Sequence, residues 1–335
     1  MSILPILLMG GTGQIGRYTA AALRKRYPEL PLLIGSRNRR KAEQVASALG
    51  HAEAAVVDPN ADDLGLGDRR IGAVAVLYGD EHLTGLRYAH ARNIPHLGIS
   101  TGLYEVAPEI AVYMQRPDAS AMVLGYEWLV GATTIATLTA AKAYAKVDDI
   151  RIGALVDEED WGGPAVAEDF ARFASVISSV LARRDGAFVW RKGDDAGFTF
   201  RGIDGEEIAA SGFSTIDIAG LAAATGAGNV EFAIGTGISS SRRAGGATST
   251  EIIIELSGQD ATGTSARSRH AVFHPAGAAP LTALGISMVL ERLAGLDGKA
   301  PTPTGLFFPY QILDHGDYLD RLTQEGGKLI TLPLA

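Results

Sequence analysis

The segment Gly10-Gly11-Thr12-Gly13-Gln14-Ile15-Gly16 restricts the fold of this chain more than any other. It follows Ile3 to Met9, an apolar run of strand length, and opens a stretch in which Ile15, Thr19, Ala22 and Leu23 fall on one helical face. A turn between a buried strand and a helix needs residues without a Cβ where the chain reverses, where its backbone must approach a ligand, and where the helix packs tightly on the strand. Unpaired N–H groups and the positive end of the helix dipole then meet at one point, which suits the pyrophosphate of a dinucleotide. The alternative is a tight β–α turn that binds nothing.

The pattern continues along the first third of the chain. Strands are expected at Ile3 to Met9, Leu30 to Ile34, Ala54 to Val57, Ala73 to Leu77, His96 to Ile99 and Ala121 to Leu124, with a second helix over Lys41 to Leu49. After Gly131 the texture changes. A helix-like stretch to Lys146 precedes a strand at Ile152 to Val156. An amphipathic helix is then expected from Pro164 through Val166, Phe170, Phe173, Ile177 and Leu181. Further strands are expected at Ala187 to Arg191, Gly197 to Arg201, Val230 to Ile234, Thr250 to Leu256 and Thr264 to Phe273. A last helix from Pro280 places Leu281, Leu284, Met288, Leu293 and Leu296 on one stripe and stops near Gly298. The small-residue stretches Ala219 to Gly228 and Gly235 to Gly246 read as turns and small-residue packing, and are candidate mobile loops. Gly235-Thr236-Gly237 is not a second nucleotide motif, because no helix pattern follows it.

With 335 residues, two domains are expected. The fold class is α/β: an N-terminal doubly wound Rossmann parallel sheet over 1–130, with 278–335 packing back on it, plus a second α+β domain with a mainly antiparallel sheet over 131–277 for substrate and dimer contacts. The net charge of −8 and the lack of a long basic run argue against nucleic acid as a partner. The sequence has no cysteine, so disulfides and thiolate chemistry are excluded. The N-terminal apolar run lacks a basic flank and is too short to span a bilayer, and no later segment is uninterrupted enough. A soluble cytoplasmic protein with no membrane partner is expected.

An NAD site usually carries an acidic residue after the second strand, to hold the ribose hydroxyls. Here the sequence is Gly35-Ser36-Arg37-Asn38-Arg39-Arg40-Lys41. A carboxylate would repel a 2′-phosphate, whereas Ser36 can hydrogen-bond it and Arg37 can pair with it and stack on adenine, so NADP(H) is the expected cofactor. Lys41 can add charge; the alternative for Lys41 and for Arg37 alike is a solvated basic helix start. Asp58, after the third strand, either accepts from the adenine amino group or forms a turn before Pro59. Ligands of open parallel sheets lie outside the carboxyl ends of the strands, which selects Tyr78 and Gly79, Ser100 and Thr101, and Tyr126, Glu127 and Trp128 to face the nicotinamide. Tyr126 and Glu127 are the candidates for handling a proton. Glu127 can alternatively bind a substrate amine or be an exposed loop carboxylate.

The Gly-Gly-Thr-Gly-x-x-Gly turn, the Gly-Ser-Arg entry to the second helix and the Lys-Ala-Glu that follows resemble the saccharopine dehydrogenase-like reductases over roughly residues 3–130. The likeness partly returns in His274-Pro275 to Leu296 and in Gly305-Leu306-Phe307-Phe308-Pro309. The resemblance implies hydride transfer between a nicotinamide and a carbon bonded to nitrogen, a substrate pocket in the inserted α/β domain, and a homodimer. Gly98-Ile99-Ser100-Thr101 and Gly125-Tyr126-Glu127-Trp128-Leu129-Val130-Gly131 depart from the family's Asp-Leu-Ser and Gly-x-Asp-Pro-Gly patterns. The cofactor frame is therefore kept while the pocket floor differs.

Asp157-Glu158-Glu159-Asp160-Trp161 can hold a cation or simply favour a helix start. Arg267 and Arg269, on one strand face, can clamp a carboxylate or stand exposed. His270 and His274 have helical metal-ligand spacing in a segment that reads as a strand, so no metal is expected. The leading reading is an NADPH-dependent reductase of a small imine, amine or carbonyl compound. Its rival is a non-catalytic NADP(H)-sensing protein. A short-chain dehydrogenase is disfavoured by the absence of any Tyr-x-x-x-Lys pair.

Overall fold

A chain whose first strands are apolar without alternation must bury both faces of its sheet, and this one does. The computed structural model describes residues 3–99, 102–160, 168, 171–172 and 179–334, and the chain divides into two units. The first takes Met1–Tyr126 and Thr282–Leu313. Its seven strands are β1 (Ile6–Met9), β2 (Leu32–Ser36), β3 (Ala52–Val56), β4 (Ala73–Val76), β5 (His96–Ile99), β6 (Ala121–Gly125) and β15 (Gly305–Phe307). They lie in the order β3-β2-β1-β4-β5-β6-β15, and every neighbouring pair is parallel. Strand order reverses between β1 and β4, so that is where the sheet opens a crevice at its carboxyl edge.

Helices α1 (Gln14–Arg26), α2 (Arg39–Leu49), α3 (Thr84–Ala91) and α4 (Val106–Tyr113) connect these strands. Helix α1 buries Gly16, Thr19, Ala20 and Leu23, while Ile15 and Ala22 sit half-buried beside that stripe. The buried face is turned by one residue from the expected one because Gly16, which contributes no side chain, is the residue pressed on the strand. Helix α2 begins two residues before Lys41, where the Asn38 side chain accepts from the Lys41 N–H at 3.0 Å.

The second unit takes most of 127–281 with Asp314–Ala335. Its strands are β7 (Lys146–Asp157), β8 (Val180–Arg184), β9 (Ala187–Arg191), β10 (Gly197–Arg201), β11 (Glu207–Gly212), β12 (Asn229–Gly237), β13 (Thr250–Gln259), β14 (Ser265–His274) and β16 (Lys328–Leu332). They run β10-β11-β12-β7-β13-β14-β16, with β8 joining β12 to β9. The sheet is mainly antiparallel, as expected, with one parallel pair between β12 and β7. Its helices are α5 (Ala132–Ala141), α6 (Asp217–Thr225) and α8 (His315–Gln324), and α7 (Ala278–Leu293) spans the boundary of the two units.

Several expectations are corrected. Ala219 to Gly228 is not a turn-rich loop: Ala-rich α6 buries Ile218, Gly220, Leu221 and Ala222, and Gly226 ends it in the left-handed region at φ 71°. Gly235 and Gly237 belong to strand β12, where a Cβ on Gly235 would meet Ile208 Cγ2 at 2.4 Å. The helix-like stretch to Lys146 stops at Ala141, and Ile150, Ile152 and Ala154 then bury at strand spacing. Leu181 is in β8; of the amphipathic helix expected before it, Pro164, Val166, Phe170, Phe173 and Ile177 lie outside the described residues, while Glu168, Ala171 and Arg172 are helical. Only 282–313 returns to the first unit, whereas 314–335 joins the second, where β16 pairs with β14. Among the described residues, no helix is long and apolar enough to cross a membrane.

Trp128, Phe213 and Phe232 form an aromatic cluster in the second unit, with ring centroids 5.7 to 6.3 Å apart. Phe232 is wholly buried. Phe232→Ala is expected to lower unfolding stability by about 3–5 kcal/mol, measured by chemical denaturation; a loss below about 1 kcal/mol would show that the cluster is not a core.

Candidate active site

The glycine turn supplies a cradle at the switch point. Gly10 lies in the left-handed region at φ 84° and its N–H donates to Gly35 O at 3.1 Å. The Gly11 N–H is shared between Leu8 O and Gly35 O, and the Gly13 N–H donates to Gly10 O at 2.9 Å. A Cβ on Gly11 would stand 2.9 Å from Leu8 O, and one on Gly16 would stand 2.5 Å from Gly10 O. Both contacts are backbone, so neither can yield. Gly13 caps α1 with no side-chain bond, and no acidic residue lies in the first helical turn. The N–H groups of that turn therefore offer an anion the positive end of the helix, and the residues present fit a diphosphate. Gln14 and Ile15 open the helix.

At the end of β2, Ser36 Oγ accepts from the Asn38 N–H at 3.1 Å and from Thr12 Oγ1 at 3.4 Å, which ties the second strand's end to the glycine turn. Arg37 and Lys41 are exposed at this edge. Asp58, just after β3, accepts from the Asn60 N–H at 2.9 Å and so forms a local turn.

Tyr78 follows β4, and its ring lies against the turn: a Cβ on Gly10 would be 3.0 Å from Tyr78 Cδ1. Burial pushes the Tyr78 hydroxyl up to about 12, with Asp80 adding to the shift and Arg37 opposing it. Gly79 is half-buried beside it. Asp80 is held at the start of α3, accepting from the Thr84 hydroxyl at 3.0 Å and the Gly85 N–H at 2.8 Å. Ser100 and Thr101 lie outside the described residues.

Beyond β6, Tyr126 is 5% exposed and its hydroxyl donates to Glu109 of α4, itself 5% exposed. The Glu109 carboxyl lies over β5 at Gly98, where a Cβ would stand 3.2 Å from Glu109 Oε1. Burial pushes Glu109 up to about 7; the Tyr126 bond opposes this, and the charges of Glu105 and Asp80 reinforce it. Tyr126 is driven far above the ordinary phenol range, first by burial and then by Glu109. His96 of β5 is buried and pushed down to about 3, so it is neutral. Sequence reasoning missed Glu109 because it searched strand ends. The available signal was a carboxylate inside the otherwise apolar helix Val106–Tyr113, one turn after Glu105.

Glu127 opens the second unit and is 3% exposed, so it is not an exposed loop carboxylate; its charge adds to the burial that raises Tyr318. Next to it, Leu129, Val130 and Gly131 all lie in the left-handed region, at φ 54°, 54° and 92°. That conformation is strained for Leu and more so for β-branched Val. The turn is latched by fully buried Asp217, whose Oδ2 accepts from the Trp128 N–H at 2.8 Å and from the Thr215 hydroxyl. Burial raises Asp217 above the usual carboxylate range.

The remaining candidates are taken up by the fold. Asp157 accepts from the Ser239 N–H, the Glu159 N–H and Arg242 Nη1 at 2.7 to 2.9 Å, and Arg242 also pairs with Glu158 and Glu159. Burial alone would raise Asp157, but those bonds outweigh it and hold the carboxyl below its ordinary value. The acidic loop thus closes on an arginine of its own unit. Trp161 lies outside the described residues. Arg269 is committed to Glu255, Pro333 O and Arg201 O, while Arg267 is exposed, so the two do not form a matched clamp. His270 contacts the Ser268 hydroxyl and His274 accepts from the Ala276 N–H. Among the described residues no group of three or more His, Cys, Asp and Glu is arranged to hold a metal.

Compared by sequence, the chain matches no family model and no curated protein. Compared by structure, it shares the fold of saccharopine dehydrogenase (L-Glu forming) from Saccharomyces cerevisiae, at 14% identity and a TM-score of 0.64 over 98% of this chain and 100% of that one. Myo-inositol 2-dehydrogenase from Lactobacillus plantarum is similar at 12% identity and a TM-score of 0.51, over 99% of this chain and 100% of that one.

A carboxyl raised by folding binds its proton more tightly in the folded state, so Glu109 favours folding below its unfolded value of 4.5 and loses that contribution as pH rises toward about 7. Glu109→Gln is expected to flatten stability against pH across that window, measured by denaturant titration at stepped pH. An unchanged slope would mean that Glu109 titrates normally.

Proposed function

We propose that this chain is an NADP(H)-dependent oxidoreductase that moves a hydride between the nicotinamide and a small imine, amine or carbonyl substrate. The observation that carries the reading is the uncapped N-terminus of α1 over a glycine cradle that no Cβ can enter, joined through Ser36 to a strand end bearing Arg37 and no carboxylate. The strand order and its switch point support it, and so does the fold shared with a saccharopine dehydrogenase.

The cofactor, when bound, supplies or accepts the hydride. The chain's residues do the rest. Gly10, Gly11, Thr12 and Gly13 with the first turn of α1 hold the pyrophosphate. Ser36 and Arg37 hold the 2′-phosphate, with Lys41 adding charge. Tyr78 and Gly79 border the nicotinamide end, and Tyr126 holds a proton at the carboxyl edge of the sheet. Glu127 is the first residue of the second unit, the part of the chain read as carrying substrate contacts and, as a homodimer, the partner contacts. An NADP(H) sensor needs only the first unit; a second unit built on a nine-stranded sheet favours the enzyme. A cytoplasmic setting belongs to the same reading.

Arg37→Ala is expected to weaken NADPH binding by roughly tenfold to a hundredfold, the worth of a charge-assisted hydrogen bond, and NADH binding far less. Fluorescence titration of both cofactors checks it, and equal losses would remove the 2′-phosphate assignment.

A further inference from the structure

Resting on that oxidoreductase reading, we propose that Glu109 stores the proton used at this site and passes it through the hydroxyl of Tyr126. The geometry is that of a two-member relay. Tyr126 stands directly after β6 at the carboxyl edge of the parallel sheet, and its hydroxyl donates to Glu109. Glu109 approaches from α4 over Gly98, whose missing side chain leaves room for the carboxyl. Both residues are nearly closed to solvent. Glu109 Oε2 has no hydrogen-bond partner among the described residues, so it is the oxygen free to carry a proton.

Burial keeps that proton on the carboxyl, and the negative charges of Glu105 and Asp80 reinforce it against the Tyr126 bond, which favours the carboxylate; His96 beside Gly98 is neutral. With Tyr126 raised so far, a free phenolate is inaccessible at neutral pH, and the hydroxyl can give up its proton only as another arrives. Reduction of a C=N or C=O bond adds a hydride to carbon and a proton to the heteroatom. The Tyr126 hydroxyl turns to give its proton to that nitrogen or oxygen, and the Glu109 carboxyl turns its protonated oxygen toward the Tyr126 oxygen, which accepts the replacement proton. A carboxylate is left, which solvent reprotonates, and in oxidation the same path takes the proton away. Glu109 thus acts through Tyr126 and is a positioning and storage residue, whereas Tyr126 is the one that meets the substrate.

The test is a pH titration of the protein labelled with carbon-13 at the glutamate carboxyls, the Glu109 signal being the one lost in Glu109→Gln. In the full chain that signal is expected to titrate near about 7, and Tyr126→Phe, which removes a bond that lowers Glu109, is expected to move it higher. A second arm measures NADPH oxidation across a panel of cyclic imines and ketones, where Glu109→Gln should cut the rate by about a hundredfold or more with NADPH binding unchanged. A Glu109 signal titrating near 4.5, or one unmoved by Tyr126→Phe, overturns the relay whether or not a substrate is found. Failure of the protein to bind NADPH overturns the oxidoreductase reading instead, so the two failures are distinguishable.

Discussion

Helix α1 touches the end of strand β1 through backbone alone. At Gly16 the space for a Cβ is filled by Gly10 and Gly11, and at Gly11 by Leu8 O. That approach fixes where the helix begins, so it also fixes where its unpaired N–H groups and positive dipole end point. The order of strands around β1 does the complementary work by opening the crevice between β1 and β4, where Tyr78 packs on Gly10. The glycine cradle, the Arg37 edge and the placing of Tyr78 are consequences of one close contact and one topological reversal.

The chemistry further along the sheet edge depends on burial. Glu109 and Tyr126 are enclosed and hydrogen-bonded to each other, and enclosure sets their affinities for protons. A carboxyl near neutrality beside a phenol that resists ionisation can exchange a proton without leaving either group charged for long. In the second unit, buried Asp217 holds the Trp128 N–H and so latches the strained turn through Leu129 and Val130. Strain of that kind persists only when the surroundings impose it.

Much of this was legible in the sequence because it is local. A glycine turn between a strand and a helix, a basic entry to α2 and unalternating apolar strands each declare themselves over a few residues. What depends on distant packing was not. Ala- and Gly-rich α6 reads equally as turns or as small-residue packing, and only its burial in the second unit decides for a packed helix. Strand β16 is five residues long and takes its meaning from β14, far away in sequence. Glu109 and Asp217 look like ordinary helix carboxylates, and only the enclosing elements make them titrate abnormally. Arg269 and Asp157, which invited functional readings, are consumed by ion pairs that no local pattern announces.

The most direct measurement is NADPH consumption by the purified protein, with NADH as comparison, across cyclic imines, aldehyde plus amine mixtures and simple ketones. The account predicts substrate-dependent oxidation of NADPH, strongest with an imine and weaker with NADH. Tight NADPH binding with no turnover of any panel member would contradict it and return the chain to a cofactor-sensing role.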